Sequence, residues 1–421
     1  MDFFSYFCDC SKQTVSNSPK HYRRMKKIHI GLLPRIVIAI AAGIAFGNVL
    51  PMMLIRAFVT FNSIFSEFLN FSIPLIIVGL VTVAIANIGK GAGKMLLATV
   101  LIAYGATLFA GFLSYFTGTT FFPSLIQQDV PLEQVSEAQG ILPYFNVAIP
   151  PIMNVMTALV LAFTLGLGLA HLKTDALKNV ALDFQEIVVK TISTVILPLL
   201  PVYIFGIFLN MTRSGQVFGI LSVFIKIIGI IFLLHIFLLV FQYCIAALFV
   251  RRNPFRLLGR MMPAYFTALG TQSSAATIPV TLEQTVKNGV SPGIAGFVIP
   301  LCATIHLSGS TLKIVACALA LMIMQGIHYD FQLFAGFIFM LGITMVAAPG
   351  VPGGAIMASL GILQSILGFG ESEQALMIAL YIAMDSFGTA CNVTGDGAIA
   401  LVIDKIYTKR QARRNKQELV A

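Results

Sequence analysis

Long apolar stretches, separated by short polar segments, run through the chain as far as Val250. A transmembrane helix needs about 20 consecutive apolar residues, because the hydrocarbon core of a bilayer is about 30 Å thick. The stretches therefore predict six membrane-spanning helices, at residues 33–50, 53–86, 93–116, 147–171, 183–210 and 216–249.

Beyond Arg251 the pattern changes to two units, each an interrupted apolar hairpin followed by a full span. The units cover 257–288 with 293–324, and 331–368 with 374–407. Small, hydroxyl-bearing and helix-breaking residues interrupt the hairpins at 270–279 and 347–354. Backbone of this kind is tolerated at membrane depth only where protein encloses it. Two broken segments in corresponding positions predict an inverted repeat with a binding site near mid-membrane.

Composition and charge agree with a membrane protein. Hydrophobic residues make up 57% of the chain and charged residues 10%, whereas about a quarter of a soluble domain is charged. Lys and Arg cluster in both tails and near 90–94, 173–178 and 251–260, which places these segments in the cytoplasm. Cytoplasmic termini require an even number of spans, so both hairpins must enter the membrane and return. The prediction is an all-α membrane protein with eight transmembrane helices and two re-entrant hairpins.

Other functional classes fit less well. The net charge of +10 also suits a nucleic-acid-binding protein, but the basic residues flank spans and do not alternate with aromatic residues. Cys8 and Cys10 lie in the basic tail, where metal binding, acylation and plain reduced thiols all stay open. The sequence has no nucleophile–base pair and no nucleotide loop of the GxxxxGK[ST] type, so it does not indicate an enzyme.

The last span carries four polar side chains at helical spacing, Asp385, Thr389, Asn392 and Asp396. Offsets of 4, 7 and 11 residues place them on one face of a helix. A charged group at the bilayer centre costs about 2.5–3.5 kcal/mol on insertion scales and is usually functional. The face offers oxygen ligands for Na⁺ and a counter-charge for an ammonium group. Hydrogen bonding between helices is the alternative interpretation.

The preceding span contains the polar run CATIHLSGSTLK at 302–313. Its small residues, with Gly309, predict a locally unwound helix whose carbonyls bind a cation. His306 is either a proton site or a neutral hydrogen-bonded side chain, and both stay open. Lys313 lies mid-span, so its ammonium is expected to find a carboxylate such as Asp396 or a cavity. Three further polar residues interrupt apolar runs without joining a polar group and are assigned to packing or snorkelling: Lys190, Lys226 and His235.

Four motifs together resemble the dicarboxylate/amino acid:cation symporters, the glutamate transporter family: TQSSAATIP at 271–279, TIHLSGS at 304–310, GVPGG at 350–354 and NVTGD at 392–396. The resemblance runs from about residue 30 to 408. It implies a homotrimer in the plasma (inner) membrane that works by alternating access as an elevator. The implied parts are a cytoplasmic tail (1–30), a mainly scaffold and trimerisation region (31–252) whose third span moves with the transport domain, the transport core (253–408) and a second cytoplasmic tail (409–421).

The resemblance also implies roles for single residues. The substrate contacts are Ser274, Ser310, Gly350, Val351, Asp385, Thr389 and Asn392, with Asp385 on the amino group of the substrate. Asn392 and Asp396, with carbonyls near Cys302 and His306, resemble a first Na⁺ site. Thr304, with carbonyls of the second hairpin, resembles another. Sodium is thus implied as transported ion, without an organic cofactor.

The chain departs from the family pattern at three positions. Gly388 stands where members with acidic substrates have an arginine, Ser308 where a sodium-binding aspartate is found, and Gln272 where an arginine precedes the serines of the first tip. The expectation is a symporter of a small neutral amino acid, coupled to Na⁺ or H⁺ with fewer than three sodium ions. The alternatives are an acidic amino acid or dicarboxylate symporter in which Lys313 compensates for the missing arginine, and a solute or anion channel on the same scaffold.

Overall fold

The computed structural model describes residues 32–89, 93–126, 141–213, 215, 217–350 and 352–418. All regular secondary structure in these ranges is helical. The predictions for the tail 1–30, for Cys8 and Cys10 and for Val351 lie outside the described residues.

The first half of the described chain follows the predicted spans in order, but the third helix ends at Leu125 rather than at 116, and the fourth begins at Val155 rather than at 147. Its helices are α1 (Leu32–Phe46), α2 (Met52–Gly89), α3 (Gly93–Leu125), α4 (Val155–His171), α5 (Ala176–Thr191), α6 (Leu197–Arg213) and α7 (Val217–Val250). A π-helical turn at Ile192–Ile196 joins α5 to α6, and the combined helix begins seven residues before the predicted span, at Ala176 rather than 183.

The second half consists of shorter helices. They are α8 (Pro254–Arg260), α9 (Met262–Thr271), α10 (Ser274–Lys287), α11 (Pro292–Ile305), α12 (Ser308–Gln325), α13 (Phe331–Ala347), α14 (Gly354–Leu367), α15 (Glu371–Ala383) and α16 (Asp385–Glu418). Each interrupted hairpin is a pair of helices that pack against each other, α9 with α10 and α13 with α14. Each tip contains a residue in the left-handed backbone conformation: Gln272 has φ 54° and Gly353 has φ 72°.

Both spans that follow a hairpin are broken. The break between α11 and α12 falls at His306 and Leu307, inside the run predicted to unwind. The break between α15 and α16 falls at Met384, where the two axes bend by 62°. This second break was not predicted, and it places Asp385 in the first turn of α16.

Within the described residues, five helices or helix runs are long and apolar enough to cross a membrane, and the bent pair α15–α16 makes a sixth if it counts as one span. Four shorter apolar helices in the same residues fall below that length: Pro34–Phe46, Thr157–His171, Phe331–Ala347 and Gly354–Leu367. The chain is therefore a multi-pass membrane protein. The total of eight spans and the re-entrant course of the hairpins stay predictions.

Helix packing is densest within two groups of helices, although α2 also packs against α13 and α14, and α1 against α15. Helix α2 packs along α4, α5 and α6, and α1 packs along α6. Helix α3 packs mainly along α12, and α7 along α16, so both join the helices of the second half. At the centre of that group, every residue of α12 from Ser308 to Met324 is buried. A helix buried on all sides must satisfy its polar side chains within the protein.

The contact between α1 and α6 provides a test of this packing. A Cβ on Gly43 would lie 2.7 Å from Cβ of Phe208 and 3.0 Å from the carbonyl oxygen of Phe205. Gly43→Leu should force the helices apart and lower the melting temperature, at a cost of about 1–3 kcal/mol. The control is Gly168→Leu, where no atom lies within 4 Å of the added Cβ. Equal melting of the two variants in detergent would contradict the packing.

Candidate functional site

The tips of the two hairpins meet. The Ser273 hydroxyl donates to the carbonyl oxygen of Gly350 over 2.7 Å and accepts from the backbone N–H of Ala276, which caps α10. Gln272 reaches α16, since its Nε2 donates to the Ser386 hydroxyl over 2.9 Å. Ser274 is buried in the first turn of α10. The fold thus brings together the two tip motifs and the start of α16.

The polar face of α16 lies in the interior. Its four side chains, Asp385, Thr389, Asn392 and Asp396, are each at most 6% exposed. The face was predicted from spacing alone, and because it is buried these groups can find partners only inside the protein.

Asn392 binds the first turn of α12. Its Oδ1 accepts from the backbone N–H of Gly309 at 2.8 Å and of Ser310 at 3.4 Å. These N–H groups have no intrahelical acceptor, because they lie in the first turn of the helix. The amide Nδ2 of Asn392 donates to the Ser310 hydroxyl at 3.1 Å, and that hydroxyl also shares a hydrogen bond with the Tyr381 hydroxyl at 2.9 Å. Asn392 therefore caps α12 from a neighbouring helix.

His306 contacts the second carboxylate of the α16 face. Its Nδ1 lies 2.8 Å from Oδ1 of Asp396, and both side chains are buried. Gln242 on α7 closes the other side: its Nε2 lies 3.5 Å from Nε2 of His306 and donates to the Ser308 hydroxyl over 3.3 Å. The imidazole of His306 thus contacts Asp396 directly, whereas the family resemblance implied only a carbonyl near His306 at this position. Within the described residues, no three His, Cys, Asp or Glu side chains are grouped as for a metal ion.

Lys313 pairs with the first carboxylate of the face. Its Nζ lies 3.0 Å from Oδ1 of Asp385, and it also donates to the carbonyl oxygens of Met384 at 3.4 Å and Tyr381 at 3.5 Å. The ammonium lies 3.4 Å from the centre of the Tyr381 ring. The expectation that Lys313 pairs with a carboxylate is confirmed, but the example given, Asp396, is wrong. The bend at Met384 places Asp385 beside the lysine, while His306 contacts Asp396.

Asp385 also holds the second hairpin. Its Oδ2 accepts a hydrogen bond from the backbone N–H of Gly353 at 2.8 Å. One carboxylate thus links α12, through Lys313, to the tip between α13 and α14.

Gly388 leaves the space that the lysine fills. A Cβ at this position would lie 2.7 Å from Nζ and 2.8 Å from Cε of Lys313. Two features noted in the sequence, the glycine at 388 and the lysine in the middle of a span, therefore fit together at one site.

Residues 32–406 match the sequence model of the sodium:dicarboxylate symporter family. The chain belongs to this family. It is also similar to the serine/threonine transporter SstT of Acinetobacter baumannii strain ATCC 17978, with 28% identity over 396 residues that cover 89% of this chain and 96% of the relative. The corresponding transporters of strains AYE and SDF have the same identity and coverage. This symporter-family chain is thus a membrane transporter and not an enzyme.

Thr304, which the sequence also assigned to the site, lies apart from the residues described above. Thr304 is exposed, and with Gly350 and Pro349 it lines a cavity of about 320 Å³ beneath the second tip. Its hydroxyl donates to the carbonyl oxygen of Leu301 at 2.8 Å. Thr304 thus lies near the second hairpin, and its role as an ion ligand stays a prediction.

Sequence reasoning missed several residues of the site. His235 was assigned to no polar group, which is wrong, because its Nε2 lies 3.0 Å from the carbonyl oxygen of Gly309. Gln242, Gly353 and Tyr381 were not singled out at all. A lone amide or imidazole within the apolar run of α7 was the available signal for Gln242 and His235, whereas nothing local marks Tyr381. Lys226, expected to snorkel, does contact the end of α3 through the carbonyl oxygen of Leu125 at 3.4 Å.

Replacing Asn392 tests the cap on α12. Asn392→Ala removes three hydrogen bonds and leaves buried N–H groups unpaired, at about 1–3 kcal/mol for each such group. The melting temperature and the uptake rate should both fall. The control on the same helix is Thr394→Val, because the buried Thr394 hydroxyl has no hydrogen-bond partner among the described residues. A smaller loss for Asn392→Ala than for Thr394→Val would contradict the cap.

Proposed function

We propose that the chain is a secondary-active symporter that takes up a small neutral amino acid together with Na⁺. The main support for a neutral substrate is the set of hydrogen bonds that Lys313 already makes. An ammonium has three N–H donors, and acceptors on Asp385, Met384 and Tyr381 surround this one. No donor is left to bind a second carboxylate of a substrate. The similarity to serine/threonine transporters supports the same substrate class.

The charges at the site favour a zwitterion. Lys313 and Asp385 balance each other, and a neutral amino acid adds one ammonium and one carboxylate. An acidic amino acid or a dicarboxylate brings at least one further negative charge into a buried site, which costs several kcal/mol without a partner. The alternative in which Lys313 replaces the missing arginine is therefore disfavoured.

The substrate ammonium is assigned to Asp385. An ionised carboxylate has about four lone-pair positions, and Lys313 and Gly353 account for one on each oxygen. The family resemblance assigns the other substrate contacts to Ser274, Ser310, Gly350, Val351, Thr389 and Asn392. Because both tips and α16 meet here, closing of the tips would enclose the substrate.

Sodium is assigned to the vicinity of Asp396 and Asn392, with a second position at Thr304 beneath the second tip. Carboxylate, amide and carbonyl oxygens are the ligands that a hard cation prefers. The break between α11 and α12 supports this, since unwound backbone in a transporter provides carbonyl ligands for ions. The imidazole of His306 beside Asp396 leaves proton coupling as the alternative at the first position.

The packing supports a division into a scaffold and a moving domain. We assign α1, α2 and α4–α6 to the scaffold, and α8–α16 with α3 and α7 to the transport domain. The assignment of α3 agrees with the sequence-based expectation, and α7 is an addition to it. The elevator motion, the homotrimer and the cytoplasmic position of both termini belong to this proposal.

Competition for uptake tests the substrate. Serine, alanine or threonine should inhibit uptake of labelled serine more than roughly tenfold better than glutamate, aspartate or succinate, a difference of about 1.4 kcal/mol. Asp385→Asn should abolish uptake, since it removes the charge that binds the ammonium. Tight binding of aspartate or succinate that is lost in Lys313→Met would instead support the acidic alternative.

Sodium dependence is tested at Asp396. Uptake by the unmodified protein should require Na⁺, and Asp396→Ala should lose most of it because the ion loses its charged ligand. The matched control is Asp404→Asn, which changes a carboxylate two turns further along α16 that accepts hydrogen bonds from Ser291. Full sodium-dependent uptake by Asp396→Ala would show that the ion binds elsewhere.

A further inference from the structure

The ammonium of Lys313 is surrounded by three oxygen atoms at a helix break. Its three acceptors are one carboxylate oxygen and two main-chain carbonyl oxygens, all within 3.5 Å. The carbonyls of Tyr381 and Met384 belong to the C-terminal end of α15, where the helix dipole is negative. Asp385 follows at the start of α16. A carboxylate with carbonyls of a broken helix is the ligand set with which transporters bind cations from solution.

Snorkelling does not explain the position of this lysine. Lys313 is 0% exposed and lies within a stretch of α12 that is buried throughout. By contrast, Lys226 on α7 is exposed, and it contacts one carbonyl oxygen at 3.4 Å. Position 388 is a glycine, and a Cβ there would lie 2.7 Å from Nζ of Lys313. The site is therefore shaped to receive the ammonium.

We propose that Lys313 is a tethered cation that takes the place of one co-transported cation. Asp385 is a buried carboxylate, and a buried charge requires a partner in each state in which it stays buried. Lys313 lies in the same group of helices and supplies this partner permanently, so that no ion from solution is needed at Asp385. The inference rests on the proposed function as a cation-coupled symporter, and it names the residue that sets the number of coupled ions.

The direct test replaces the lysine by a neutral side chain of similar length, Lys313→Met. The three oxygen atoms that the ammonium leaves should then bind Na⁺ from solution. In proteoliposomes, the reversal potential should report one more positive charge per substrate than in the unmodified protein, and uptake should depend more steeply on Na⁺ concentration. An unchanged charge per substrate with an unchanged sodium dependence would overturn the proposal.

A second measurement does not depend on transport. A ligand that binds only the folded state raises its stability in proportion to ln(1 + [L]/Kd). The melting temperature of Lys313→Met in detergent should therefore rise more steeply with Na⁺ than that of the unmodified protein, with choline replacing Na⁺ as the reference. The double variant Lys313→Met/Asp385→Asn should lose this added dependence. Equal sodium dependence in the unmodified protein and in Lys313→Met would overturn the tethered cation, even if amino acid uptake had proved to be the wrong function.

Two further variants locate the effect. Gly388→Ala keeps the lysine but places a methyl group against its ammonium, so it should show the same change in sodium dependence, to a smaller extent. Lys226→Met removes a membrane lysine outside the site. It should leave the charge moved per substrate and the sodium dependence of the melting temperature unchanged. A response of Lys226→Met equal to that of Lys313→Met would overturn the proposal, because any lysine in the membrane would then suffice.

Discussion

Helix α12 is buried on every side, so its polar groups can find partners only inside the protein, although the Thr311 hydroxyl has none among the described residues. Helix α16 supplies several of these partners. Asn392 binds the first turn of α12, and Asp385 binds Lys313 one turn further on. The helices approach closely because Gly309 has no side chain, since a Cβ there would lie 2.7 Å from Cβ of Cys391 and from the carbonyl oxygen of Gly388.

The pairing of Lys313 with Gly388 connects packing to substrate choice. A positive charge is present at the site, but it comes from α12 and is already neutralised by Asp385. In the proposed function, the substrate encounters this balanced ion pair and not an unpaired cation. A site of this kind suits a molecule that carries one charge of each sign. The proposed neutral substrate agrees with the similarity of this chain to serine/threonine transporters.

Much of this arrangement was predictable from the sequence, for physical reasons that differ between elements. Apolar length located α1 to α7, because membrane spans need uninterrupted hydrophobic residues. Helical spacing predicted the shared face from Asp385 to Asp396, and small residues predicted the break at His306. The bend at Met384 was not predicted, since neither Gly nor Pro stands at that position. The partners of Lys313 and Asp396 depend on that bend, so sequence spacing alone did not distinguish the two carboxylates.

The proposed function couples binding at this site to an ion gradient. The most direct measurement is uptake of labelled serine by proteoliposomes under an inward Na⁺ gradient. A symporter should accumulate serine above its external concentration, and the accumulation should collapse when an ionophore dissipates the gradient. Serine that only equilibrates across the membrane, at the same final level with and without the gradient, would contradict a symporter and would favour a channel on the same fold.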